Sequence, residues 1–373
     1  MDSNIPKRIF NEELKLHLRT EQYANYLNRQ VQSLLKNLED ELVAATAKID
    51  PSAPMITEWK RNRLQKLEEQ VRKILQDHYQ QIQDMEKEAL QEIAELQSEA
   101  VPKALNKALT INLFDISISP ELVQSIVEHS MIDGKILKEW WNKTSEATRK
   151  RFMLLMTEGT MKVQLGTLQG ESIGELISRI RGNKQHPPIM DISRREAAAI
   201  VRTSVMQVSN TVRIETYKAN QKVLKGIQII ATLDQRTSAG CRAKDGLQYD
   251  LDGNPIGNNF PFPGLPPYHF NCRTCTCPLT KTFAELSGKN SQLSKQQLQQ
   301  LDKLPAGMRA SMGGEVPTMN YDEWLKEQPE KLQQEILGQA RWELWKDNKL
   351  DMIDLIDNKG NTLTIKQLRN KYE

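Results

Sequence analysis

Apolar residues recur every three to four positions through the first hundred residues of the chain. From about Asn11 to Lys48 they form a stripe of Leu14, Leu16, Tyr26, Leu27, Val31, Leu34, Leu35, Leu38 and Leu42, which predicts an amphipathic helix. Pro51 and Pro54 should stop it, because proline has no N–H donor and pushes its predecessor out of the helical region. A second stripe runs through Leu64, Leu67, Val71, Ile74, His78, Ile82, Met85, Ala89, Ile93, Leu96 and Ala100. Its mean step of about 3.6 residues is that of a straight helix, not a supercoil, and at about 1.5 Å per residue it extends about 54 Å. Pro102 is expected to end this rod. A rod so long cannot bury its face alone. It predicts an antiparallel hairpin packing on itself, a docking arm that offers Leu67, Val71, Ile74, Ile82 and Met85 to a partner, or both.

Further helical segments follow between Ser119 and Ile180, with Ser119 as N-cap and Pro120 in the first turn. Trp140 and Trp141 are adjacent and point about 100° apart on a helix, so at most one enters a core. Ser193 and Glu196 have the spacing of a capping box ahead of a helix reaching towards Tyr217. From Gly226 to Asp234 the chain turns β-branched and apolar, its best strand. Asp245-Gly246 and Asp252-Gly253-Asn254-Pro255 carry turn chemistry, and a proline- and glycine-rich loop spans Pro261 to Pro267. Ser287 to Ser311 reads as a polar linker or helix with little to bury. Tyr321, Trp324, Leu325, Leu332, Ile336, Leu337, Trp342 and Leu344 then predict a small helical unit.

Composition narrows the class. Of 373 residues only 38% are hydrophobic and 27% are charged, which suits a helix-rich protein with much exposed surface. No apolar run is long enough for a membrane span, and the first residues show no apolar export segment. The net charge of +3 is too balanced to attract nucleic acid in bulk. Three of the four cysteines (Cys272, Cys275 and Cys277) fall within six residues, with Cys241 upstream. A secreted disulfide framework would spread its cysteines, so the pattern predicts a reduced, cytosolic chain.

Cys241, His269 and Cys272, with Cys275 or Cys277, offer the ligands of a tetrahedral zinc, and Cys272-x-x-Cys275 has the spacing of a zinc knuckle. Structural zinc, reduced thiols pinning the loop, and a disulfide are all open to this spacing. Arg236 and Asp234, at the strand's end, predict an ion pair that fixes a turn. No nucleophile elbow, P-loop or Rossmann signature is present.

The order of these residues resembles the phage Mu F-like head morphogenesis (minor capsid) family. The resemblance rests on Arg202-Thr203, Asp234-x-Arg236-Thr237, Cys241, Asp245-Gly246 and His269-x-x-Cys272-Arg273, and covers roughly Gly166 to Leu279. Tyr321 to Lys326 and the residues to Arg341 are similar to a C-terminal extension of some members. Ser238 stands where members often have the first cysteine of a Cys-x-x-Cys, and Ser204 where a glutamate is common. The expected fold class is α+β and predominantly helical: a helical region over 1–165, a small α+β Mu F-like module over 166–285, and a linker with a helical unit over 286–373. The resemblance implies a minor head protein of a tailed phage or prophage. Its partners would be portal and capsid proteins, with packaged DNA a further candidate, and it would reside in the head after assembly in the host cytoplasm. No membrane or small-molecule partner is expected. The competing reading is an enzyme of ADP-ribosyltransferase-like or nuclease type using Arg202 and His269. Against it, no Glu-x-Glu pair follows Arg202, and no acidic metal-ligand set lies beside His269 in the sequence.

Overall fold

The computed structural model describes residues 3–48, 57–161, 173–316, 319–346, 350–358 and 360–372. It is 64% helical with small antiparallel sheets, so the α+β, mostly helical class holds. Contacts group the chain into two units. One comprises Met1–Glu21, Ile93–Glu128 and Met206–Glu373; the other comprises Gln22–Glu92 and His129–Val205. The units interleave along the sequence and do not follow boundaries near residues 165 and 285. No helix among the described residues is long and apolar enough to cross a membrane.

Helices α1 (Ile5–Ala47) and α2 (Thr57–Leu109) contribute to both units. Within each unit they run antiparallel, as the reciprocal pairings show. His78 meets Glu41 at 3.0 Å and Tyr23 donates to the Ala89 carbonyl at 3.0 Å in the second unit. In the first, Gln97 donates to Thr20 at 3.0 Å and Lys107 pairs with Glu12 at 3.2 Å.

Two expectations for α2 are corrected. The helix does not stop at Pro102 but continues through it to Leu109. A proline inside a helix costs about 3 kcal/mol, whereas fully burying one leucine is worth about 2 kcal/mol. Val101, Leu105, Ala108 and Leu109 are all buried in the core of the first unit, which favours continuation. The inward face also differs from the stripe read in the sequence. Leu67, Val71, Leu75, Tyr79, Ile82 and Leu90 are buried, whereas Leu96 is 55% exposed. Polar Glu86 and Gln97 occupy interior positions because buried partners receive them.

The second unit adds a two-residue hairpin, β1 (Met131–Ile132) with β2 (Lys135–Ile136), then α4 (Leu137–Met161), α5 (Ile173–Arg181) and the first half of α6 (Asp191–Ala219). Trp141 is fully buried and Trp140 only partly. Ser193 is not an N-cap. It lies inside α6, fully buried, and shares its hydroxyl with Thr148 and Arg151 at 2.7 Å each. The helix starts earlier because Pro188 precedes it and its carbonyl accepts from Asp191 N.

The first unit holds α3 (Pro120–Glu128), the second half of α6, and a sheet in the order β5-β4-β3-β6. Its strands are β3 (Leu224–Ile230), β4 (Gln248–Tyr249), β5 (Pro255–Ile256) and β6 (Cys275–Thr280), all antiparallel. Gly226 lets β4 pass close: a Cβ there would lie 2.1 Å from the Tyr249 carbonyl oxygen. Strand β6 was not apparent from its sequence. It forms because Cys275 to Thr280 are buried throughout, and as the edge strand it tolerates Pro278.

Helix α7 (Ala239–Lys244) follows β3. Beyond β6 come α8 (Phe283–Ser287), α9 (Lys295–Leu301) and α10 (Ala306–Ser311). This stretch is no linker, since Leu286, Leu293, Leu301, Leu304 and Met308 are buried in the same core as Ile5, Ile227 and Leu279. The last helices, α11 (Tyr321–Lys326), α12 (Glu330–Leu337), α13 (Gln339–Lys346) and α14 (Ile365–Tyr372), close a second core around Tyr321, Leu325, Trp342 and Trp345.

Candidate functional site

Four of the five motif elements meet at the end of β3, in the first unit. The chain leaves the strand through Asp234, whose carboxylate accepts from the backbone N–H of Arg236 at 3.0 Å and from the Thr237 hydroxyl at 3.2 Å. Such an Asx turn needs only residues two and three positions on, which is why the motif is compact in sequence. The main charge partner of Asp234 is not Arg236, which is 79% exposed with its Nε 3.6 Å away. It is Arg273, which donates two parallel hydrogen bonds of 2.7 Å. Hydrogen bonding from that guanidinium holds the Asp234 carboxyl down to about 2. The Asp-x-Arg-Thr and His-x-x-Cys-Arg motifs are thus two halves of one clamp.

Asp245 fastens the same region from the far end of α7. Its carboxylate accepts from the amides of Ala231 at 2.6 Å and Tyr321 at 2.7 Å, and burial pushes it up to about 6. Gly246 follows in the left-handed region, at φ +81°, and its N–H reaches the Ile229 carbonyl at 2.9 Å. Tyr321 Oη donates to the Asp234 carbonyl at 2.8 Å. Asp245-Gly246 therefore joins β3, α7 and α11.

The sulfur and imidazole groups come from two tight turns. Ser238 caps α7, and Cys241 N donates to the Ser238 carbonyl at 3.0 Å. In the other turn Cys272 N donates to the His269 carbonyl at 3.1 Å, with Asn271 in the left-handed region at φ +60°. Cys241 Sγ lies 3.6 Å from Cys272 Sγ and 3.3 Å from His269 Nε2, and all three ligand atoms fall within 4.8 Å of one another. Ser238 Oγ is 2.9 Å from the same Nε2. The Cys272 thiol, hydrogen-bonded to its neighbour, lowers the Cys241 thiol, and the same interaction raises Cys272. Both cysteines are buried; His269 is exposed.

Cys275 and Cys277 do not join them. Both lie on β6, paired opposite Ile230 and Gln228, so Cys272-x-x-Cys275 is not a single metal-binding turn. Burial pushes Cys275 up to about 12 and raises Cys277 too, which keeps both protonated.

Arg202, Thr203 and Ser204 belong to α6 in the second unit. Arg202 is exposed, Thr203 bonds back to the Ala199 carbonyl at 2.7 Å, and Ser204 donates to Glu86 at 2.7 Å. Trp141 Nε1 supplies the second donor to Glu86, yet burial dominates and pushes that acid up to about 7. Leu67, Val71 and Ile82 of the expected docking stripe face the interior of this unit, and Ile74 and Met85 are half-buried.

One polar centre escaped the sequence reading. Arg213, on α6 in the first unit, is 1% exposed and lies 3.7 Å from Glu13. It donates to Gln97 at 3.2 Å and to Thr20 at 3.4 Å. Burial raises Glu13 despite the arginine. No local signal marked it: the helical neighbours of Arg213, Ser209, Asn210, Thr216 and Tyr217, are mostly polar in the sequence.

Residues 160–277, the segment that carries the clamp, match the family described as Phage Mu protein F like protein. No curated protein and no solved structure matches the chain.

Proposed function

We propose that the chain is a minor head protein of a tailed bacteriophage or prophage, assembled near the portal from the host cytoplasm and retained in the virion head. The observation that carries this reading is the Mu F-like match over residues 160–277. The use of the motif residues supports it. Asp234, Arg273 and Asp245 direct their polar groups at one another or at backbone amides, which builds a rigid frame. A catalytic acid or base needs a group free to face a substrate, and the hydrogen-bonding groups of these residues are taken up within the frame. The function is then to present a shaped surface to portal and capsid neighbours, and no bond chemistry is required of it.

The test is crosslinking in cells that are producing heads. A photo-crosslinker at exposed positions of the full chain should capture the portal or capsid protein and yield the same adducts in purified procapsids. Adducts to neither, with normal heads formed after the gene is deleted, would contradict the proposal.

A further inference from the structure

We propose that Cys241 Sγ, Cys272 Sγ and His269 Nε2 bind one zinc ion, with the fourth corner turned towards Ser238 Oγ and closed by water. This site is independent of the head-assembly reading.

The geometry carries the assignment. With Zn–S near 2.3 Å and Zn–N near 2.0 Å, a tetrahedral ion sets its sulfurs about 3.8 Å apart and sulfur and nitrogen about 3.5 Å apart. The separations here are 3.6 and 3.3 Å. The two supporting turns share one construction. In each, residues i and i+3 face a common point and the backbone N–H of i+3 closes on the carbonyl of i, at 3.0 Å for Ser238–Cys241 and 3.1 Å for His269–Cys272. Paired turns of this kind are how knuckle-type sites bring four ligands together, and here three of the four positions hold ligand residues.

The histidine is aimed by its surroundings. Its Nδ1 lies 2.9 Å from the Phe270 carbonyl oxygen, a contact that only an N–H can satisfy. The proton is thereby placed on Nδ1, and the Nε2 lone pair faces the sulfurs. This is the outer-shell arrangement that orients metal-bound histidines. His269 is exposed while both cysteines are buried, so the cluster has an entry side and a shielded side. Binding would displace the two thiol protons to solvent and join the start of α7 to the turn before β6, closing the long loop between them.

The serine makes the proposal sharp. Its Oγ, 2.9 Å from Nε2, borders the fourth corner while accepting from Cys241 N at 3.3 Å as the cap of α7. Ser238→Cys should complete a Cys₃His site at the cost of a weaker cap on α7. The full chain, purified without chelator and kept reduced, should carry close to one zinc per molecule by elemental analysis. In competition with a chromogenic chelator, Cys241→Ser and Cys272→Ser should weaken zinc binding by roughly 100-fold, with Cys275→Ala unchanged. Ser238→Cys should tighten it by roughly 10-fold or more. Cobalt(II) in place of zinc should give tetrahedral bands, with stronger thiolate-to-metal absorption in the Ser238→Cys protein. A folded, reduced chain that takes up no zinc overturns the assignment. So does a Ser238→Cys variant whose affinity is unchanged, or a Cys241–Cys272 disulfide trapped by alkylation during lysis.

Discussion

The Asp234–Arg273 pair at the end of β3 and the interfaces between the long helices treat charge in opposite ways. At the end of β3 the partly exposed Asp234 stays ionised, held down to about 2 by Arg273, whereas Asp245 beside it is buried and pushed up to about 6. Between helices, donors come from side chains far away in sequence and burial prevails. Glu86 has two donors and is still pushed up to about 7, and Glu13 is raised beside an arginine. A carboxylate is kept charged by oriented hydrogen bonds near solvent, not by one partner in a dry interior.

The largest effect is expected from the helix interior. Arg213→Met removes the donor to Gln97 and Thr20 and leaves Glu13 uncompensated. Loss of one partner from a buried pair costs about 3–5 kcal/mol, readable as a lowered denaturant midpoint. A full-stability variant would show that the interior does not depend on this charge.

Glu86→Gln sharpens the contrast through pH. Folded Glu86 keeps its proton up to about 7, whereas the unfolded side chain releases it near 4.5. Between those values the folded state binds the extra proton, so the parent protein loses stability as pH rises, by about 3 kcal/mol in all. The glutamine variant should lack that decline, as denaturant midpoints at pH 5 and pH 7.5 will show.

Gly226→Ala probes the sheet that supports the clamp. The added methyl meets the Tyr249 carbonyl and should cost about 2 kcal/mol by pushing β4 from β3, with amide exchange accelerated at Ile227 and Tyr249. The smallest effect belongs to the clamp itself. Asp234→Asn leaves the Asx turn and loses the charged pairing with Arg273, worth about 1 kcal/mol after solvent screening. In the parent that stability is present above pH 3.8 and is lost as pH falls towards 2; the variant should not show this acid-side loss.

The same contrast explains what was legible in the sequence. Asp234-x-Arg236-Thr237, Asp245-Gly246 and His269-x-x-Cys272 could be found because a turn is specified by neighbours, although the main partner of Asp234 lay 39 residues away. The helices were legible from their period. Their polar interior was not, since Glu86 meets Trp141 and Ser204, 55 and 118 positions away. Strand β6 and the core role of α8 to α10 were hidden for a related reason. Cysteine, threonine and glutamine there are buried by tertiary packing, not by any local pattern. Cys275 looked like a ligand by spacing alone, and pairing with Ile230 removes it.

The central claim, that this chain is a head component, is tested most directly by quantitative mass spectrometry of heads purified from the producing phage. The account predicts the chain in every preparation, at far fewer copies than the major capsid protein and in fixed ratio to the portal. Heads that are complete and infectious without it would contradict the account.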